Sequence, residues 1–437
     1  MIQREPWQKT HDCAQIVPEL DGQTVILNGW VQTVRPLGSL LFVVLRDATG
    51  TRQITVVKKK HPEPYKIFKT ISKESVISVK GKVRAYEEAP NGVEILPEEV
   101  IILNKAMSPL PFDPFEQTIN TLKDTRFDWR IIDLRHPEKL ALFKIRSTIL
   151  FAISEYMFKN GFTYWSTPKV LSSASEGGAD VFNIQWFDKQ AYLSMSPQLH
   201  KQFIAGNTGT KYFEITPYFR AEKHRTRRHL SEFTGIDVEL PFATEEDVWQ
   251  VLERLIIHVI ETLKEKNKEE LELLDRTLPE LKIPFPRVSY DEAVQILKDM
   301  GQDIEWGKDL TDQQERLLFN HFGSPFFLHS YPAELGKFYV MKFEDNPKLC
   351  HAYDLIYHIE LASGARREHR YEELVKNLEE KGLKKEHFED YLNAFKYGCA
   401  PHAGFGMGIE RLMMGILDIE DIWEVVAFPR TVDRLHP

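Results

Sequence analysis

FRAEKHRTRRHLSEFTGIDVE, residues 219–239, is the stretch on which the architecture of this chain turns. Residues 211–220 and 234–240 are rich in aromatic and branched side chains and read as strands. Between them lie Lys223, His224, Arg225, Arg227, Arg228 and His229. Two strands joined by a cationic loop form an antiparallel hairpin that holds a polyphosphate between its arms. Arginine suits that task because its planar fork meets phosphate oxygens in pairs. An exposed basic hairpin has the same composition, so the hairpin needs company before it means anything.

Two further stretches supply it. GFGMGIERL, residues 404–412, is a glycine strand that turns into a helix, a geometry that lets a ligand approach bare backbone, with Arg411 beside it. A tightly packed turn has the same glycines. Asp354 and Glu360, followed by Ser363, Gly364 and Arg367, put carboxylates at a sheet edge without any Cys or His ligand pattern. That donor set suits magnesium, which takes one or two carboxylates and completes its shell with phosphate oxygens. Common nucleotide signatures are absent: there is no Gly-x-x-x-x-Gly-Lys-Ser/Thr, and the Gly404 cluster is not Gly-x-Gly-x-x-Gly.

Further from the hairpin, helical periodicity marks 143–160 and 244–266, with Thr244 as N-cap. Strands are expected at 191–194, 326–330, 338–343 and 352–362, and 265–320 reads as a mostly helical insertion. Helices mixed with antiparallel strands, without regular βαβ alternation, make this region α+β. The first hundred residues differ. Five strands, at 24–34, 40–46, 52–58, 75–86 and 93–103, are separated by turn signals such as Asn91-Gly92, and they suit a small closed barrel of the OB type. Three prolines in 108–114 mark a linker. The expected division is 1–104 barrel, 105–135 linker or hinge, and 136–437 catalytic domain.

Composition narrows the function classes. The chain has 437 residues, 42% hydrophobic and 28% charged, with 56 basic and 65 acidic residues giving −9. A net negative protein binds nucleic acid only through local basic patches. No stretch approaches the roughly 18 uncharged residues of a membrane span. The opening MIQREPWQKTHD has no apolar signal region, and Cys13, Cys350 and Cys399 are scattered, so a cytoplasmic protein without disulfides is expected.

Taken in order, three blocks resemble the motifs of class II aminoacyl-tRNA synthetases. The segment 162–168 is similar to motif 1, with Pro168 as its proline; 219–239 resembles motif 2; 404–412 resembles motif 3. The preceding barrel is similar to that of subclass IIb, whose members take aspartate, asparagine or lysine. With the ending AFPRTVDRLHP, residues 427–437, the chain most resembles aspartyl enzymes of archaeal type. The resemblance implies an ATP-dependent ligase that makes aspartyl-adenylate and transfers aspartate to the 3′ end of tRNA(Asp), with tRNA(Asn) added in a non-discriminating enzyme. Motif 1 implies a homodimer.

The resemblance also assigns roles. Arg220 and Arg411 are the catalytic arginines. Aspartate is held by Glu176, Gln198, Lys201, Arg220, Ser363 and Arg367, with Lys201 and Arg367 on the side-chain carboxylate in a cationic cavity. ATP lies against Arg220, Ala221, Glu222, Arg228, His229, Leu230, Phe233, Glu360, Gly408, Ile409, Glu410 and Arg411, its adenine between Phe233 and Arg411. Glu360, Ser363 and Asp354 hold magnesium. On the barrel, Phe42 stacks on an anticodon base, Gln53 and Glu94 meet base edges, and Arg35 lies near the backbone. Asparaginyl enzymes carry an acid where Lys201 stands. Other readings are an asparaginyl-tRNA synthetase, an asparagine-synthetase-like paralogue, and a catalytically silent tRNA-binding protein.

Overall fold

The computed structural model describes residues 5, 7–115, 121–172 and 181–437. Contacts divide the chain into two units, Met1–Asp113 and Pro114–Pro437.

The first unit is a closed barrel of β1 (Thr24–Leu37), β2 (Leu40–Asp47), β3 (Gly50–Val57), β4 (Val76–Ala85) and β5 (Val93–Asn104), in the order β1-β2-β3-β5-β4. Strict alternation sends Val25, Leu27, Val31, Leu41, Val43, Leu45, Ile54 and Val56 inward. A helix that the pattern did not announce, α1 (Pro62–Thr70), starts on a proline and sends Phe68 into the same core. Glu74, buried, accepts both Nη groups of Arg46 at 2.8 and 2.9 Å.

The second unit is built on eight strands: β6 (Thr163–Tyr164), β10 (Tyr212–Phe219), β11 (Glu232–Pro241), β12 (Arg287–Ser289), β13 (Phe326–Pro332), β14 (Leu349–Tyr357), β15 (Ile359–Arg366) and β16 (His402–Gly408). Their order is β12-β13-β14-β15-β16-β11-β10-β6, antiparallel except at the two edges. A smaller sheet joins β7 (Val170–Leu171), β8 (Asn183–Trp186) and β9 (Lys189–Leu193). Apolar stripes of α2 (Pro137–Lys159), α4 (Glu245–Lys266) and α6 (Ile409–Leu417) share one core with the sheet, through Ile149, Ile153, Leu252, Val259, Leu412, Ile236, Val238 and Phe405. Two other helices matter below, α3 (Gln198–Thr208) and α5 (Asp312–Phe322).

Period two then fixes what the opposite face carries. In β11 the residues between Ile236, Val238 and Leu240 are Gly235, Asp237 and Glu239, all buried. Register places Asp237 opposite Gly406, Gly406 opposite Ser363, and Ser363 opposite Asp354. The neighbouring row runs Glu239, Gly404, Ala365, Ala352. Polar and side-chain-free positions therefore form a continuous floor across four strands.

Three expectations change. The strand expected over 352–362 is a hairpin, because His358 adopts φ +61° and reverses the chain, a conformation that nothing in its residue type announces. Residues 338–343 form only isolated bridges, Val340 with Arg367 and Lys342 with Cys350. The segment 265–320 also contributes β12, an edge strand, beside its helices.

Candidate active site

A cavity of about 630 Å³ lies in the second unit over the polar floor. Its two ends differ in charge.

At one end the first turn of α3 brings in Gln198 and Lys201. Lys201 is fully buried, and its ammonium donates to Asp237 Oδ1 at 2.6 Å and to the Phe405 carbonyl at 2.9 Å, with Glu239 Oε2 at 3.6 Å. Arg367, 3% exposed, donates from Nε and Nη2 to the two oxygens of Glu239 at 2.9 and 3.2 Å, and from Nη2 to the Gly404 carbonyl at 2.9 Å. Burial pushes the Glu239 carboxyl up, yet Arg367 and Lys201 together hold it below the ordinary glutamate value. Tyr218 donates its hydroxyl to Asp237 Oδ2. Gly404 is obligatory, since a Cβ there would stand 2.1 Å from the Val238 carbonyl and 2.2 Å from Glu239 Oε2. Arg367 and Asp237 line the cavity, whereas Lys201 stands behind Asp237. The expected cationic pocket is thus a neutral lattice of two cations and two acids. Asp237 and Glu239 were missed because acids in an apolar strand look like its exposed face; their alternation with Ile236 and Val238 was the available signal.

At the other end Arg220 lies half-buried, its guanidinium 5.4 Å from the Phe233 ring. Its Nε is buried without a hydrogen-bond partner. Arg228 pairs with Asp312 at 2.6 Å, at the start of α5. Arg411 donates to the Glu360 carbonyl at 2.9 Å and approaches Glu360 Oε2 at 3.2 Å. The Glu360 amide donates to Glu315 Oε2 at 3.1 Å, and Tyr331 donates to Asp354 Oδ2 at 2.5 Å. Burial, reinforced by Glu360, pushes Asp354 up to about 7 and Glu315 up to about 8. Asp309 is raised too, by burial first. Carboxyls that resist ionisation in a shared space lack positive charge there. Among the described residues no three His, Cys, Asp or Glu side chains are grouped to hold a metal alone. The pair Asp354 and Glu360, with Ser363 opposite Asp354, is the donor set a hydrated hard cation takes when a ligand completes its shell.

Several predicted residues sit otherwise. Glu222, His229, Leu230, Phe233, Gly408 and Glu410 line the cavity, but Ala221 is not among its walls. Ile409 is buried in the helix-side core. Glu410 serves structure, accepting from Arg146 at 2.8 Å and from the Thr234 amide at 3.1 Å. Phe233 lies against the Arg220 guanidinium and, like Arg411, lines the cavity. Glu176 lies outside the described residues. Asp309, Asp312 and Glu315 escaped notice because a helix distant in sequence, with the loop before it, delivers them.

On the barrel, Phe42 points away from the core formed by Leu41 and Val43 and is half-buried. It is opposite exposed Arg35 on one side and Thr55 on the other. Gln53 donates to Glu94 Oε2 at 3.2 Å. Glu94 is fully covered, held by Thr55 and Arg84, and so does not present a free edge as expected.

Comparison with known proteins supplies the family. Residues 122–432 match a family described as tRNA synthetases class II (D, K and N), and 25–103 match an OB-fold nucleic acid binding domain. The chain is 47% identical to an aspartate–tRNA(Asp/Asn) ligase of Methanopyrus kandleri, over 97% of this chain and 98% of that one. It is 45% identical to an aspartate–tRNA(Asp) ligase of Thermococcus kodakarensis, over 98% and 100%. The structure of asparaginyl-tRNA synthetase from Pyrococcus horikoshii complexed with asparaginyl-adenylate superposes with a TM-score of 0.92 at 35% identity, covering 100% of both chains.

Proposed function

This chain belongs to the class II tRNA synthetases (D, K and N), and from that premise we propose that it joins L-aspartate to tRNA by way of aspartyl-adenylate. It is an aminoacyl-tRNA ligase, and its family uses ATP as substrate, typically with magnesium. Lys201 and Arg367, gathered at one end of the cavity, carry the choice of amino acid. A carboxylate placed there meets the Arg367 guanidinium, while Lys201, behind Asp237, adds positive charge without direct contact, and Asp237 and Glu239 keep both cations fixed before substrate arrives. Superposition on an asparaginyl enzyme does not decide the substrate, since the fold is common to the family; the side chains at this end do.

The aspartate α-carboxylate attacks the α-phosphorus of ATP, one P–O bond forms, and pyrophosphate leaves with the bridging oxygen. The ribose hydroxyl of the terminal adenosine then attacks the activated carbonyl, loses its proton, and AMP departs. The first nucleophile is already an anion, so the protein's work is positioning and charge stabilisation. Arg220, whose buried Nε has no hydrogen-bond partner among the described residues, takes the α-phosphate and the attacking carboxylate. Arg228 and His229 face the far phosphates, and Arg411 with Phe233 bounds the adenine. Asp354, Glu360 and Ser363 would hold magnesium, which when bound neutralises triphosphate charge. The outward row of Arg35, Phe42 and Gln53 reads the anticodon, and a second copy pairs through the motif 1 region.

The test is pyrophosphate exchange into ATP with aspartate and with asparagine, followed by charging of purified tRNA(Asp) and tRNA(Asn). Exchange with aspartate alone is expected; exchange with asparagine alone would overturn the reading. The charging arm separates a single-tRNA enzyme from one that also serves tRNA(Asn).

A further inference from the structure

Behind Gln198 runs a hydrogen-bond chain whose direction is fixed at its far end. His402 is fully buried, and its Nδ1 is 2.8 Å from the Ala400 carbonyl. A carbonyl oxygen only accepts, so Nδ1 carries the proton. Burial holds the imidazole below its ordinary pKa, against the pull of Glu239, so the ring is neutral and Nε2 is bare. Nε2 lies 3.4 Å from Nε2 of Gln202, which must therefore donate. That turns Gln202 Oε1 toward Gln198, whose Nε2 donates to it at 2.9 Å. Gln198 is 7% exposed and lines the cavity, and its Oε1 has no partner among the described residues. Flipping Gln202 would set donor against donor at Gln198 and acceptor against the bare Nε2, and flipping Gln198 would set acceptor against acceptor, neither of which a buried network tolerates.

We propose that His402 is a positioning residue: through Gln202 it turns the carbonyl oxygen of Gln198 into the cavity, where it accepts from the α-ammonium of aspartate. Aspartate has one donor group and two acceptors, and Arg367 serves an acceptor with Lys201 backing it from behind Asp237, so the free Oε1 completes the match. The inference rests on the aspartate reading for its ligand, but not for the direction of the chain.

Two measurements test it. Nitrogen NMR of the histidine-labelled wild-type protein at neutral pH is expected to find His402 neutral with its proton on Nδ1; a proton on Nε2 overturns the proposal and needs no variant. Pyrophosphate exchange is then compared for Gln202→Glu and Gln202→Met. The carboxylate still accepts from Gln198, so Gln202→Glu keeps the KM for aspartate within about threefold. Gln202→Met raises it by about tenfold, the worth of one hydrogen bond, with the KM for ATP unchanged. An unaltered aspartate KM in Gln202→Met, or equal rises in both KM values, overturns the proposal. Wild-type protein that activates asparagine but not aspartate, with the Nδ1 proton in place, refutes the substrate and leaves the direction of the chain standing.

Discussion

The two ends of the cavity solve opposite electrostatic problems. Around Lys201 and Arg367 every charge meets its opposite within the protein, and Glu239 stays ionised although buried. Around Asp354 and Glu360 the acids outnumber the cations: Asp309, Asp312 and Glu315 join them, while Arg228 and Arg411 are the arginines that pair there. A closed set of pairs is rigid and selects by shape and hydrogen bonding. An acid-rich set is strained until a cation enters. On the proposed reading the amino acid meets a site finished in advance, and a cation accompanying the nucleotide completes the other.

The sharpest way to break this contrast is Lys201→Met. It leaves Asp237 and Glu239 short of a cation in a buried place, where losing one partner costs about 3–5 kcal/mol. Aspartate-dependent exchange is expected to fall by roughly a thousandfold, with a lower Tm by calorimetry. Near-normal exchange would mean that the closed end does not choose the substrate. Arg220→Ala comes next: removing a preorganised contact to developing charge slows exchange by about 100- to 1,000-fold. Because Arg220 Nε has no hydrogen-bond partner among the described residues, the Tm of this variant should barely move.

The acid-rich end is sharpened by pH. Asp354 and Glu315 bind protons more tightly folded than unfolded, with values near 7 and 8. Their contribution is complete below the ordinary carboxylate range and fades as pH rises through about 7 to 8. Thermal unfolding should therefore show Glu315→Gln more stable than wild type at alkaline pH and similar in mild acid. Magnesium with ATP should narrow that gap. A gap that widens with acid instead would reverse the assignment. The smallest effect is expected far from this cavity: Phe42→Ala lowers kcat/KM for tRNA charging by about tenfold, the worth of one base stack, and leaves pyrophosphate exchange unchanged.

Much of this was legible because local patterns carried it. The hairpin of 219–239, the glycine strand before Arg411 and the alternating barrel strands each declare themselves within a short continuous stretch. Hidden parts depended on register or distance. Asp237 and Glu239 face the floor only because β11 is covered on both sides. Glu315 reaches Glu360 from a helix some forty residues upstream, and no local signal encodes that meeting. His358 turns the chain in a conformation that sequence grammar reserves for glycine and asparagine. Glu410, expected at the nucleotide, instead ties α6 to α2 through Arg146.

Gly404 gives the strand beneath the amino acid no capacity to vary, since even a methyl group would collide with the Val238 carbonyl and Glu239. Any change in what this end of the cavity accepts must therefore come from the side chains around it, the opening turn of α3 and Arg367, because β16 offers only backbone at Gly404.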